Sequence, residues 1–209
     1  MKKRIVSLLL AAALLTGAAS AAGEESTAEH PDLDLSAASA VLMEKETGSL
    51  LYEKESHQQL EPASVTKVMT LLLVMEDLDS GRLSKEDLVT VSAAAAGMGG
   101  SQVYLKEGEQ FSAGELIKCI AVVSGNDAAV AMAEHLAGSE ESFVERMNQR
   151  AAELGMEHTV FHNCTGLPAE GHLSCAYDIA LMSRELILNH PDIRQYTTIW
   201  MDTLRDGTF

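Results

Sequence analysis

Residues Val68 to Met75 read VMTLLLVM, a run that is apolar nearly all the way round a helix rather than along one stripe. Such a helix has to be covered on most of its sides, so the rest of the chain must be arranged around it. Gly81 follows the run at the position of a C-cap. Downstream patterns supply the covering elements. Ser112 and Glu115 form a capping box ahead of the apolar face made by Leu116, Ile117, Ile120, Ala121 and Val123, which predicts a helix that stops near Ser124-Gly125. A second helix is predicted from Asn126-Asp127 to Ala137 with Asp127 as its N-cap, a third from Glu140 to Leu154, and a fourth from Ala176 to Leu188, ended by Asn189 to Pro191.

Upstream, ASAVLMEKETGSLLYEKES sets two apolar-rich runs on either side of Thr47-Gly48, the pattern of a β-hairpin. Ser84 to Asp87 resembles a capping box with Asp in the final place, and the small, Gly-rich stretch after it reads as loop with short extended pieces. Strands first and clustered helices afterwards give an α+β chain rather than an alternating βαβ one. A two-stranded hairpin alone is marginally stable, and nothing after Pro191 reads as its partner strands. The sequence therefore reads as cut within a domain.

Lys2, Lys3 and Arg4 precede an apolar stretch from Ile5 to Leu15 and small residues ending at Ala21. This is the pattern of a secretory signal peptide over residues 1–21, and the apolar stretch is too short for a bilayer, which needs roughly 20 residues. An acidic leader, residues 22–35, and a domain over residues 36–209 follow. The formal net charge of −16 argues against nucleic acid as a partner and for a solvated exterior. Cys119, Cys164 and Cys175 are an odd number for an exported chain, so no full disulfide framework is expected. His162, Cys164, His172 and Cys175 alternate, but as H-x-C and H-x₂-C rather than the paired spacing of structural zinc, so neither a metal nor any other cofactor is predicted.

Ser64 and Lys67 lie three apart at the entrance to the apolar helix, so their side chains share one face. A serine hydroxyl needs a base, and a lysine serves only when burial lowers its pKa toward working pH. A capping serine beside a solvated lysine satisfies a bare S-x-x-K equally well. The segment Ser124-Gly125-Asn126 separates the two readings, because it falls in a break between two helices, where side chains enter a cleft. S-x-x-K and S-x-N are two of the three parts of a known set, the third being K-T-G. No histidine sits near a G-x-S-x-G elbow, which leaves a Ser/His/Asp triad without support.

With EPASVTKVMT, GGSQVYLKEGE, SGNDAAVAMAEHLAGSEESFVERMN, LGMEHTVFHNCTGLP and SCAYDIALMSREL in family order over roughly residues 36 to 205, the chain resembles the low-molecular-mass penicillin-binding proteins, the serine-type D-alanyl-D-alanine carboxypeptidases. The resemblance implies the penicillin-binding/β-lactamase-like transpeptidase fold, an antiparallel sheet with a helical cluster, here lacking its C-terminal strands. It also implies that Ser64 attacks the terminal peptide bond of a peptidoglycan stem peptide ending in D-Ala-D-Ala, with Lys67 as base. Ser124 would relay a proton to the leaving amine or to Lys67, and Asn126 would bind the substrate amide and orient the lysine. β-Lactam antibiotics would acylate Ser64 by the same route. No K-T-G occurs in the chain, so this chain as given is expected to lack carboxylate recognition and activity. Membrane association would need a C-terminal segment that the sequence does not contain. A class A β-lactamase would need an E-x-x-L-N loop, and none is found after Asn126. A D,D-endopeptidase or a silent penicillin-binding fragment remain the alternatives.

Overall fold

The computed structural model describes residues 33–207. The predicted signal peptide and most of the predicted acidic leader lie outside the described residues. Strands β1 (Ala40–Met43) and β2 (Leu50–Lys54) pair antiparallel, with Leu42 opposite Tyr52 and a bulge between Leu42 and Met43. A 3₁₀ turn at Ala63–Thr66 leads into helix α1, Lys67–Asp79. A second antiparallel pair, β3 (Leu88–Thr90) and β4 (Gln110–Ser112), brackets the short helix α2 (Ala93–Ala96). Helices α3 (Ala113–Val123), α4 (Asn126–Ala137), α5 (Glu140–Glu153) and α6 (Ala176–Asn189) follow. The architecture is α+β, as the order of elements predicts.

Helix α1 is the axis of the core. Met69, Leu72, Val74 and Met75 have no exposed surface, and α3, α4, α5 and α6 all pack against the helix. Its one buried carboxylate, Asp77, accepts from Arg146 of α5 at 2.9 Å, which ties the two helices at their polar margin. The hairpin finds its cover on α6 rather than on further strands among the described residues. Arg184 of α6 reaches the turn and donates to the carbonyls of Lys45 (2.6 Å) and Glu46 (2.8 Å).

Two local expectations change, and the alternative of Ser64 as a helix cap falls. Ser84 to Asp87 opens no helix: the Asp87 carboxylate accepts the Ser84 N–H at 2.8 Å in a turn, and β3 begins directly after it. Ser64 does not cap α1, because the backbone passes through the 3₁₀ turn first and no side chain caps either element. Asp127 is not the N-cap of α4 either, since Gly125 holds that place. The Asp127 carboxylate is fully buried and accepts the N–H groups of Val103 (3.1 Å) and Leu105 (3.0 Å), as well as that of Ala128. It pins the extended segment before β4 against the start of α4. The capping box of Ser112 and Glu115 is formed as predicted. All three cysteines are free and buried.

Asp127→Ala strands three buried donors, and the two in the distant segment, Val103 and Leu105, set the scale of the loss. At about 1–3 kcal/mol for each unsatisfied group, the expected loss of stability by urea unfolding is about 2–6 kcal/mol, whereas a mere helix cap would cost about 1 kcal/mol.

Candidate active site

Four residues ahead of α1 the backbone takes an uncommon course. Ala63 has φ +46°, in the left-handed region that side chains other than glycine seldom occupy. The turn leaves Ser64 exposed and carries the chain into α1, whose first residue, Lys67, is only 3 % exposed. The Lys67 Nζ lies 3.2 Å from the Ser64 Oγ. It donates a second, shorter bond of 2.7 Å to the carbonyl of Thr165. Burial among apolar groups pushes its pKa down to about 8, against a small opposing influence from the Cys164 thiol. An amine with that pKa is neutral in about a tenth of molecules at pH 7, compared with less than about a thousandth for a solvated lysine.

The Thr165 carbonyl is aimed by a tight strap. The Asn163 side-chain oxygen accepts the N–H groups of Thr165 (3.1 Å) and Gly166 (2.6 Å). Gly166 then presses onto the nucleophile turn with φ +83°: a Cβ built there would fall 1.8 Å from the Ala63 carbonyl oxygen and 2.9 Å from the Thr66 Oγ1. Only a glycine allows that approach. One turn further along α1, the Thr70 hydroxyl donates to the Cys164 carbonyl at 2.7 Å.

His172 holds the same turn from behind. Its Nδ1 accepts the backbone N–H of His162 at 3.1 Å, so in the neutral ring the proton sits on Nε2, which donates to the Thr66 Oγ1 at 2.8 Å. Burial, chiefly, holds its pKa below the usual histidine value. The neutral tautomer is therefore the one that fits both neighbours.

The break between α3 and α4 forms as the sequence predicts. Ser124 is half-buried at φ +58°, and its side chain makes no hydrogen bond among the described residues. Asn126 is buried and donates to the Gly99 carbonyl at 2.7 Å, while its Oδ1 has no partner. Gly100 lies between this amide and the strap: a Cβ there would be 2.8 Å from the Asn126 Nδ2 and 3.5 Å from Leu167 Cδ2. Ser64 and Lys67 are thus in direct contact. The Asn126 amide adjoins Gly100, which faces Leu167 of the strap, and the bond that orients the lysine goes to Thr165. Thr165 and Gly166 were not singled out from the sequence, and His172 was weighed there only as a metal ligand. The signal available for them was Asn163 followed three residues later by a glycine, an Asx-type turn.

Gly166→Ala combines a left-handed penalty of about 1–2 kcal/mol with overpacking of about 1–3 kcal/mol. A stability loss of roughly 2–5 kcal/mol is expected in denaturant unfolding. Gly99→Ala, where a Cβ would meet nothing within 4 Å, should be near neutral by the same measurement.

The sequence profile of Peptidase_S11, described as D-alanyl-D-alanine carboxypeptidase, matches residues 24–207. The D-alanyl-D-alanine carboxypeptidase DacF of Bacillus subtilis (strain 168) is 49 % identical over 208 residues, covering 100 % of this chain and 53 % of that protein. Penicillin binding protein 6B from Escherichia coli superposes with a TM-score of 0.77 at 39 % identity, over 81 % of this chain and 55 % of that one. Penicillin-Binding Protein D2 from Listeria monocytogenes in its ampicillin bound form gives a TM-score of 0.75 at 30 % identity, over 85 % and 72 % of the two chains. The chain spans about half the length of the curated relatives it matches. The profile match spans the elements that carry Ser64, Lys67 and the Ser124 to Asn126 break, and the chain belongs to the D-alanyl-D-alanine carboxypeptidase family of serine peptidases.

Proposed function

We propose that this chain carries the nucleophile half of a serine D-alanyl-D-alanine carboxypeptidase, with residues 36–209 as part of its catalytic domain. The observation that carries the reading is the 3.2 Å contact between an exposed serine hydroxyl and a buried amine whose pKa is about 8. As Ser64 Oγ attacks the carbonyl of the penultimate D-alanine in a stem peptide, its proton passes to neutral Lys67. The C–N bond then breaks, the leaving amine takes a proton through Lys67 or Ser124, and D-alanine departs. Water cleaves the resulting ester on Ser64. The unpartnered Oδ1 of Asn126 supports a role in accepting the substrate's amide N–H.

Penicillins would open their lactam ring on Ser64 by the same attack. The ampicillin-bound form of the Listeria monocytogenes relative supports that partner. The chain contains no K-T-G, so recognition of the substrate's terminal carboxylate is left without a residue here. Residues 1–21 would direct the protein across the cytoplasmic membrane to the wall. No described helix is long and apolar enough to cross a membrane.

Fused to a segment that supplies a K-T-G, the chain should be labelled by a fluorescent penicillin, whereas the 209-residue chain alone should be labelled little or not at all. Loss of label in Ser64→Ala is required, and a labelled Ser64→Ala protein would sink the assignment. Lys67→Arg substitutes a group that stays charged and should slow acylation by about 10²–10⁴-fold, the usual worth of a general base.

The pH dependence has a definite sign. The working form of Lys67 is the neutral one, so acylation should rise about tenfold per unit at low pH and level off above about 8. A rate that is flat between pH 6 and 9 would exclude the lysine as base. Release of D-alanine from a pentapeptide, set against splitting of a cross-linked dimer, distinguishes the carboxypeptidase from a D,D-endopeptidase.

A further inference from the structure

Away from the Ser64 turn, three segments distant in sequence meet at the start of α6. Leu60 and Ser174 exchange backbone hydrogen bonds of 2.8 and 2.9 Å, and the Tyr177 N–H donates to the Ser56 carbonyl at 2.9 Å, which lays His57 over the first turn of the helix. His158 is drawn to the same place because its N–H donates to the Asp178 Oδ2 at 2.9 Å, with the Thr159 hydroxyl on the same oxygen at 2.7 Å. The His57 ring sits 5.1 Å from that of His158 and 4.7 Å from that of Tyr177. Cys175 is the buried N-cap of α6, its sulfur accepting the Asp178 N–H at 3.4 Å.

As a result one ring nitrogen of His57, one of His158 and the sulfur of Cys175 all lie within 4.8 Å of one another. His57 and His158 border an open cavity of about 430 Å³ whose wall includes Glu53, Glu157 and Asp178, while Cys175 is buried. Asp178 is 1 % exposed, and its Oδ1 has no hydrogen-bond partner. A buried carboxylate oxygen left bare is costly unless something accepts its charge. The cluster takes no part in the Ser64 chemistry.

We propose that His57, His158 and Cys175 form a site for a divalent cation of the zinc class, with a water in the fourth position held by the Asp178 Oδ1. Two imidazoles and a thiolate are a donor set that zinc accepts, and its bond lengths put tetrahedral ligand atoms about 3.4–3.6 Å apart. Rotation of the exposed His57 side chain supplies the remaining closure. On binding, Cys175 gives its thiol proton to solvent, and the cation takes the thiolate. Asp178 acts twice, orienting His158 through its backbone and accepting from the bound water, the kind of outer-shell partner that metal sites use. The cation would staple the approach to the Ser64 turn, the start of the segment that leads to Thr165, and the first turn of α6. The alternating run His162, Cys164, His172 and Cys175 contributes only its last member, which is why sequence spacing gives no hint of the site.

The test is a titration of the reduced 209-residue chain with Co²⁺, followed by displacement with Zn²⁺. The expected result is a single cation per chain, a thiolate-to-cobalt charge-transfer band, and a higher Tm with Zn²⁺. Cys175→Ser keeps an N-capping residue on α6 and should lose the band and the Tm rise. His57→Ala changes an exposed side chain and should lose the Tm rise as well, while Asp178→Asn should weaken affinity about 10–100-fold. The proposal is overturned if the wild-type chain shows no band, if the band survives in Cys175→Ser, or if wild type and both ligand variants retain Zn²⁺ equally.

Discussion

An amine with 3 % exposure and no carboxylate partner among the described residues is the condition on which the rest of the site depends. A buried lysine that formed an ion pair would be held in its charged form, and its pKa would stay high. Lys67 instead has a neutral carbonyl from Thr165 and a neutral hydroxyl from Ser64 as its bonded neighbours, so desolvation dominates and lowers the pKa. This gives a functional meaning to the most constraining feature of the sequence. Helix α1 is apolar around its whole circumference because it fills the core, and that same wrapping removes water from the amine at its first turn.

The geometry of the amine is set by a loop rather than by α1 itself. The strap from Asn163 to Leu167 carries the Thr165 carbonyl, and the contact of Gly166 with the Ala63 carbonyl sets its distance from the helix. Ala63 in turn bears a left-handed backbone, a strain of the kind found at functional turns. His172 locks Thr66 with a proton whose position is dictated by the His162 N–H on the opposite ring nitrogen. Protonating that ring would turn an acceptor into a donor facing a donor. Burial resists this by keeping the ring neutral, so the nucleophile turn and the strap stay in register.

What was legible in the sequence is what local patterns encode. The apolar run of α1, the Ser112–Glu115 capping box and the break at Ser124-Gly125 were readable because each depends on residues within a turn or two of one another. The order of strands and helices gave the α+β class. Asp127 was misplaced because an acidic residue at a helix start has two uses, capping its own helix or holding another segment, and only the position of Val103 and Leu105 decides between them. The roles of Gly166 and His172 were missed for the same reason. Their partners are about a hundred residues away, at Ala63 and Thr66, and no periodicity reports such a pairing.

The two halves of the site differ in how completely their polar groups are satisfied. On the strap side nearly every donor and acceptor is matched, from Asn163 through Thr165 to Thr70. On the side of the helix break, Ser124 holds a strained left-handed conformation with an unbonded side chain, and Asn126 buries an oxygen that nothing meets. Buried unpaired acceptors and left-handed serines both oppose folding by of order 1–3 kcal/mol each. A core position with no function would be expected to shed both, by exchange of Asn126 for an apolar side chain and of Ser124 for glycine. Their presence together is a cost that a polar substrate backbone would convert into binding, and this supports the proposal that the break between α3 and α4 works with Ser64 and Lys67.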